Sequence, residues 1–169
     1  MEFVSRILEG SIPYDLKDLL RRGERGAGRL GQDEKIRHLQ KVPMLEDCTR
    51  KQLKAVAAIS KVVEAPAGTV LTRTGDAGDE FFVLVDGSAT AEVSPRKRRR
   101  MGPGEFFGEM SLLDGGPRSA TVKAETDVRL LVIPRRSFQA LLNEVPDLTR
   151  NILAVLSRRL RQLEQSPHA

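Results

Sequence analysis

The spacing of hydrophobic residues changes twice along this chain. In residues 1–20 apolar side chains recur near a helical period, but a glycine and a proline are expected to divide the segment into short amphipathic helices. Residues 21–34 hold four glycines among charged residues, which predicts a linker or a mobile loop. The helical pattern returns in residues 33–60, where Thr49 is a suitable N-cap. The first third of the chain is therefore predicted to contain two helical segments joined by a linker or loop.

After Ser60 the hydrophobic period becomes two, and glycine and proline interrupt it regularly. Asp86 and Gly87 form the clearest predicted hairpin turn. A helical period resumes at Ser137, with a break at Pro146. Without helix-length connections between them, short strands predict an antiparallel sandwich or barrel. Six such strands are predicted, at residues 61–65, 69–73, 80–86, 88–93, 119–125 and 128–134.

The length and composition predict one domain with an extension. A chain of 169 residues with 40% hydrophobic residues can bury one ordinary core plus some added helix. We place an N-terminal helical extension and linker at residues 1–34, the domain at 35–165 and a short tail at 166–169.

Composition also bears on the compartment. No segment reaches the roughly 18 consecutive apolar residues of a membrane span, and the first residues lack the apolar core of a signal peptide. Cys48 is the single cysteine, so an intramolecular disulfide is excluded. These features predict a soluble protein of the cytoplasm.

The net charge of +5 comes from one basic run, Arg96–Arg100. Removing these five residues from the 28 Lys and Arg leaves 23, which equals the 23 Asp and Glu. We interpret the run as a solvated hairpin loop. Aromatic residues make up 4% of the chain and tryptophan is absent, so a platform for stacking bases is not expected. The sequence predicts no sequence-specific DNA binding, since no recognition helix accompanies the run.

One segment, residues 102–122, interrupts the strand pattern. Gly108 permits an unusual backbone angle, residues 109–113 have the composition of a single helical turn, and Pro117 prevents its continuation. The N-terminal amides of such a turn carry partial positive charge, and the next strand brings Arg118 back beside them. This arrangement predicts an anion site.

The residue types in this segment indicate the kind of anion. The guanidinium of Arg118 offers two parallel donors, enough for one phosphodiester. Glu109 lies in the same turn and can accept a hydrogen bond from a ligand hydroxyl, as acidic residues do with ribose. Ser119 and Ala120 are small and let the backbone approach a phosphate. Together they predict a nucleotide site.

The residues FGEMSLL at 107–113 and PRSATV at 117–122 resemble the phosphate-binding cassette of cyclic-nucleotide-binding domains. This family includes the regulatory subunits of cAMP-dependent kinase, cyclic-nucleotide-gated channels and the bacterial catabolite activator protein. The resemblance covers about residues 36–164. It implies a mainly β fold: an antiparallel β-roll, or jelly-roll barrel, with an inserted short phosphate-binding helix and with N- and C-terminal helices.

The resemblance also implies roles for individual residues. Glu109 would bind the ribose 2′-hydroxyl and Arg118 the cyclic phosphate. Leu163 and Glu164 lie in the region that would contact the base. The form Arg-Ser-Ala is closer to the bacterial activators, which favours cAMP, with cGMP as the alternative ligand. Further contacts to the ligand are expected from Phe107, Gly108, Met110, Ser111, Ser119 and Ala120.

The same residues are compatible with other functions than that of a nucleotide sensor. Arg118 and Glu109 could form an ordinary surface pair, and the cassette could be a ligand-free fold that docks proteins. An enzyme is disfavoured, because His38 and His168 are the only histidines and lie outside the strands, and no nucleophile motif is present. No metal or cofactor is expected.

The expected partner is an unidentified protein or a further domain. Ligand binding is predicted to reorganise residues 137–164, because Leu112 and Leu113 should touch the helix that carries Phe138 and Leu141. The apolar face of residues 148–163 is interpreted as core or as the seam of a homodimer.

Overall fold

Helices open the described part of the chain, which in the computed structural model comprises residues 30–109 and 111–165. Thr49 caps the second helix: its side chain accepts a hydrogen bond from the Gln52 amide, and the Gln52 side chain accepts one from the Thr49 amide. The elements are α1 (Gln32–Gln40), a 3-10 turn (Pro43–Leu45) and α2 (Arg50–Ile59).

Within the described residues, eight antiparallel strands form two four-stranded sheets, in the orders β1-β8-β3-β6 and β2-β7-β4-β5. The mainly antiparallel fold with flanking helices confirms the fold class expected from the sequence. The strands are β1 (Lys61–Ala65), β2 (Val70–Thr72), β3 (Glu80–Asp86), β4 (Ala89–Ser94), β5 (Lys97–Met101), β6 (Phe106–Phe107), β7 (Thr121–Ala124) and β8 (Val128–Pro134).

Three further helices complete the described chain. The short helix predicted between the strands is α3 (Ser111–Asp114), and it ends at Gly115, whose φ is +64°. The last strand leads directly into α4 (Arg135–Glu144), and Pro146 opens the long α5 (Pro146–Gln165). Proline suits the first turn of a helix, where its missing amide would have no partner.

Strand β3 is buried on both faces, which explains its continuous apolar sequence. Phe81 and Val83 belong to the hydrophobic cluster that includes the helices. Phe82 and Leu84 belong to a second cluster, formed by strands of both sheets. The alternation follows from the strand period of two. The core therefore has two layers, and β3 connects them.

The predicted hairpin turn at Asp86 and Gly87 is wrong. Strand β3 pairs with β6 and β8, whereas β4 pairs with β5 and β7, so this turn carries the chain from one sheet to the other. Gly87 has φ +91°, and a Cβ there would lie 2.3 Å from the Asp127 carbonyl oxygen. The close approach to a neighbouring loop requires glycine in addition to the tight turn.

The prediction that the basic run forms a loop is also wrong. Residues 97–101 form strand β5. It pairs with β4 in a hairpin at the edge of its sheet. Edge strands commonly carry Lys and Arg, which discourage pairing with other chains. Each of its three exposed arginines pairs with a carboxylate: Arg98 with Glu92, Arg99 with Glu105 and Arg100 with Glu125.

The expected boundary between residues 34 and 35 falls inside α1, which begins at Gln32. Leu30 is buried in the helical cluster, so the domain includes residues that were assigned to the linker. The amphipathic helices expected in residues 1–20 and the tail at 166–169 lie outside the described residues. Within residues 30–109 and 111–165, no helix has the length and apolar character needed to cross a membrane.

Candidate ligand-binding site

A cavity of about 380 Å³ lies between β6, α3 and the start of β7. Its wall includes two parts of the segment that interrupts the predicted strand pattern, residues 107–111 and 117–120. Met110 lies outside the described residues. All the other residues expected in the phosphate and sugar site line this cavity: Phe107, Gly108, Glu109, Ser111, Arg118, Ser119 and Ala120.

Arg118 is a buried cation, since only 6% of its side chain is exposed. Its Nη2 donates to Glu80 Oε2 at 3.3 Å, and its Nη1 donates to Ser111 Oγ at 3.4 Å. The guanidinium carbon lies 5.6 Å from the centre of the Phe82 ring. Burial lowers the pKa of the guanidinium, while the carboxylates of Glu80 and Asp79 act in the opposite direction. Arginine stays charged even so, and the cavity wall therefore carries a poorly solvated positive charge.

The backbone at Arg118 is held by the loop between β2 and β3. The Arg118 amide donates to the Asp76 carbonyl at 2.8 Å, and the Gly75 amide donates to the Arg118 carbonyl at 2.9 Å. A third bond joins the Gly78 amide to the Gly116 carbonyl at 3.2 Å. These bonds fix the direction in which the Arg118 side chain leaves the backbone.

Gly108 allows the guanidinium to lie close to the backbone. Its φ is +81°, a backbone conformation that residues other than glycine rarely adopt. A Cβ at this position would lie 2.4 Å from Arg118 Nη1 and 3.1 Å from the Glu80 carbonyl oxygen. Any other residue at position 108 would therefore displace Arg118.

Glu109 presents a hydrogen-bond acceptor to the same cavity. Its side chain is 15% exposed, and its Oε1 accepts a bond from Arg159 Nη1 at 3.4 Å. Its Oε2 is buried and has no hydrogen-bond partner within the described part of the chain. A buried carboxylate oxygen without a partner is costly, so it favours a ligand that brings a donor.

Arg159 was missed by the sequence reasoning. It lies on α5, and its position seven residues after the buried Ile152 places it on the helix face that packs against the domain. This spacing was the available signal, but an arginine in a helix is usually interpreted as a solvated residue.

The base contact expected at Leu163 and Glu164 stays a prediction. Leu163 is 61% exposed, Glu164 is also exposed, and neither side chain lines the cavity. From the same helix, Arg159 reaches the cavity wall through its bond to Glu109.

The short helix beside the cavity packs against the C-terminal helices, as the sequence predicted. Leu112 is buried in the same cluster as Phe138 and Leu141, and Leu113 packs against that cluster. The Arg135 amide at the start of α4 donates to the Asp79 carbonyl at 2.8 Å. The cavity wall and α4 are therefore joined through close-packed side chains.

Comparison with known proteins gives a consistent result. The family model described as "Cyclic nucleotide-binding domain" matches residues 62–145. A cyclic nucleotide-gated potassium channel from Rhizobium etli is 41% identical over 102 residues, which cover 57% of this chain and 28% of the channel. A cAMP-dependent protein kinase regulatory subunit from Aspergillus niger is 34% identical over 117 residues, which cover 66% of this chain and 28% of that protein.

A solved structure extends the similarity over a whole domain. The N-terminal domain of a transcriptional regulator from Streptomyces coelicolor A3(2) aligns with a TM-score of 0.68 and 31% identity, covering 76% of this chain and 96% of that one. The chain spans less than a third of the length of the two curated relatives, 28% in each case. With the matched family segment containing both sheets and the cavity wall, the chain belongs to the family of cyclic-nucleotide-binding domains.

Proposed function

We propose that this chain binds cAMP in preference to cGMP and transmits occupancy through α4 and α5 to a protein partner or a further domain, without catalysing a reaction. The observation that supports this best is that residues of opposite chemistry line one cavity: Arg118, with a buried guanidinium, and Glu109, whose Oε2 has no hydrogen-bond partner among the described residues. The first suits a phosphate and the second suits a sugar hydroxyl.

The phosphate contact is assigned to Arg118. A cyclic phosphodiester carries one negative charge, and a guanidinium can give it two parallel charge-assisted hydrogen bonds. Glu80 compensates the buried cation before a ligand arrives, at a donor–acceptor distance of 3.3 Å. That distance is longer than the 2.7–2.9 Å or so of a strong charged bond, which leaves the guanidinium available to a better-placed anion.

The choice of cAMP rests on the cassette sequence and on one relative. Arg118, Ser119 and Ala120 resemble the form in the bacterial activators, and the regulatory subunit from Aspergillus niger is named as cAMP-dependent. Calorimetric titration with cAMP, cGMP and AMP tests the assignment. We expect tightest binding for cAMP and none for AMP, whose phosphate is not cyclic; equal binding of all three, or none, contradicts the proposal.

Glu109→Gln is expected to weaken cAMP binding by about 1.5–3 kcal/mol, since an amide oxygen is a poorer acceptor than a carboxylate. In the variant, 2′-deoxy-cAMP should bind about as well as cAMP, because the bond that the hydroxyl makes has already been weakened. Titration of both proteins with both ligands forms a double-mutant cycle. Glu92→Gln, on the exposed edge hairpin, serves as the control. Additive losses would show that Glu109 and the 2′-hydroxyl never meet.

Signal transmission is assigned to α5 because Arg159 connects it to Glu109. The same helix is also bonded to α2 and to the turn before it. Arg158 donates to Asp47 Oδ2 at 2.7 Å, and Asn151 donates to Gln52 Oε1 at 2.8 Å. If Glu109 turns to the ribose, Arg159 loses its partner and the position of α5 becomes free to change.

Hydrogen exchange is therefore expected to change more in residues 137–164 on cAMP addition than in the sheet strands. The strands are held by ladder hydrogen bonds, whereas α4 and α5 are held mainly by side-chain packing. Mass spectrometry with and without cAMP gives the comparison, and Arg118→Ala with cAMP is the control. Protection confined to the cavity wall would show that ligand binding is not transmitted to α4 and α5.

A further inference from the structure

A row of leucines on α5 faces solvent in the described part of the chain. Four large hydrophobic side chains are exposed there, and three of them belong to this helix: Leu153 at 58%, Leu160 at 61% and Leu163 at 61%. Leu156 is half-buried and lies between them. Because successive members are three or four residues apart, the four leucines share one side of the helix over roughly 15 Å. We call them the leucine stripe.

The helix face that packs on the domain is a different one. It carries Leu148, Ile152 and Val155, all of which are buried. Beyond it, every residue from 160 to 165 is exposed. Covering apolar surface is favourable by roughly 25 cal/mol per Å². The leucine stripe therefore favours an occupant that brings apolar side chains at a helical spacing.

One segment near the start of the sequence has the matching pattern. Its apolar residues Ile12, Leu16, Leu19 and Leu20 follow the spacing of one face of an amphipathic helix. Pro13 is suited to the first turn of such a helix. A helix over residues 12–20 would be about 12 Å long, which is comparable with the length of the leucine stripe.

Charge favours the same pairing. Helix α5 contains four basic and two acidic residues, a net charge of +2, whereas residues 1–20 contain two basic and four acidic residues, a net charge of −2. Arg161 follows Leu160, is exposed and has no ion-pair partner among the described residues. The apolar segment carries two carboxylates, Asp15 and Asp18. A second copy of α5 would instead bring like net charges together.

The chain connection permits the contact. Leu30, the first described residue, is buried in the same hydrophobic cluster as Leu148 and Ile152 of α5. The nine residues 21–29 span up to about 30 Å when extended, which is twice the length of the stripe. A short tether gives a segment an effective concentration in the millimolar range. In dilute solution, the tethered segment therefore reaches the stripe more readily than another molecule does.

We infer that residues 12–20 bind the leucine stripe of the same chain, with their apolar side chains on the leucines and their carboxylates towards Arg161. A segment of this length has little helical stability by itself, so its helix forms together with the contact. The contact is intramolecular, and it does not depend on what the cavity binds.

Hydrogen exchange of the whole chain without nucleotide tests the contact from both sides. Leu16→Gln is expected to speed exchange in residues 156–165 by about fivefold or more, and Leu160→Gln to speed exchange in residues 12–20 by a similar factor. Lys17→Gln, on the polar side of the segment, is the control, because Leu, Lys and Gln have similar helix propensities. Unchanged exchange in residues 156–165 of Leu16→Gln, or an equal effect of Lys17→Gln, would overturn the inference.

A disulfide cross-link identifies the occupant. In a Cys48→Ser background, Leu16→Cys is combined with Leu160→Cys, and Lys17→Cys takes the place of Leu16→Cys in the control. Mild oxidation should link positions 16 and 160 faster than positions 17 and 160, and the product should keep the mass of one chain. Circular dichroism verifies that each variant is folded. A cross-linked dimer would mean that a second copy covers the stripe, and equal rates for the two pairs would mean that this segment does not bind it; either result contradicts the inference.

Discussion

Replacing Arg118 with alanine is expected to weaken cAMP binding by about 2–5 kcal/mol, roughly 30-fold to several thousand-fold at 25 °C. The reason is that its guanidinium is the buried cation of the cavity, with 6% of the side chain exposed. Without it, the phosphate would enter a cavity with backbone donors and the Glu80 carboxylate close by. That carboxylate would no longer have the Arg118 guanidinium between it and the anion.

Titration calorimetry measures this loss, and Arg98→Ala provides a matched control. Arg98 is also paired with a glutamate, but its side chain is 64% exposed and lies on the edge hairpin. Its removal should leave affinity unchanged. Arg118→Lys should recover only part of the binding, because an ammonium cannot donate two parallel bonds in a plane. Unchanged affinity in a folded Arg118→Ala protein would disprove the phosphate assignment.

Phe138→Ala is expected to lower the free energy of unfolding by about 3–5 kcal/mol. The ring is fully buried in the cluster that includes Leu112, Leu141 and residues of β3 and β8. Its loss leaves a cavity where α3, α4 and the sheet meet. We also expect weaker coupling between the ligand and α5, because the packed route from α3 to α4 is interrupted.

Urea denaturation measures the change in stability. Val93→Ala is the control, since Val93 is 51% exposed and such substitutions usually change stability by less than about 0.5 kcal/mol. Similar losses for the two variants would mean that Phe138 is not a central part of the core.

Much of the fold could be predicted from the chain itself because local signals agreed with the tertiary environment. The runs at 61–65, 80–86 and 128–134 are strands with those bounds. The N-cap at Thr49 and the break at Pro146 are also local features, and both occur as expected. The cavity wall was predictable for the same reason, since Gly108 and Arg118 lie within one short segment.

The predictions for the turn at residues 86–87 and for the basic run were wrong for one reason. In both places the structure depends on which distant segment of the chain packs beside it. Nothing in Asp86–Gly87 shows that β3 and β4 belong to different sheets, because strand partners are decided by the packing of the whole roll. The basic residues 97–101 have poor strand propensity, and they form a strand because β4 supplies hydrogen bonds and three glutamates supply charge.

The candidate site also has features that follow from the sequence and features that depend on the tertiary structure. The sequence by itself determined the two chemistries, a cation at Arg118 and an acceptor at Glu109, because both are carried by one continuous cassette. Only the tertiary structure decided that Glu80 compensates the cation and that Arg159, 50 residues beyond Glu109, reaches the carboxylate. Such contacts join segments that are far apart in the chain, so they exist only once the sheets and helices have packed.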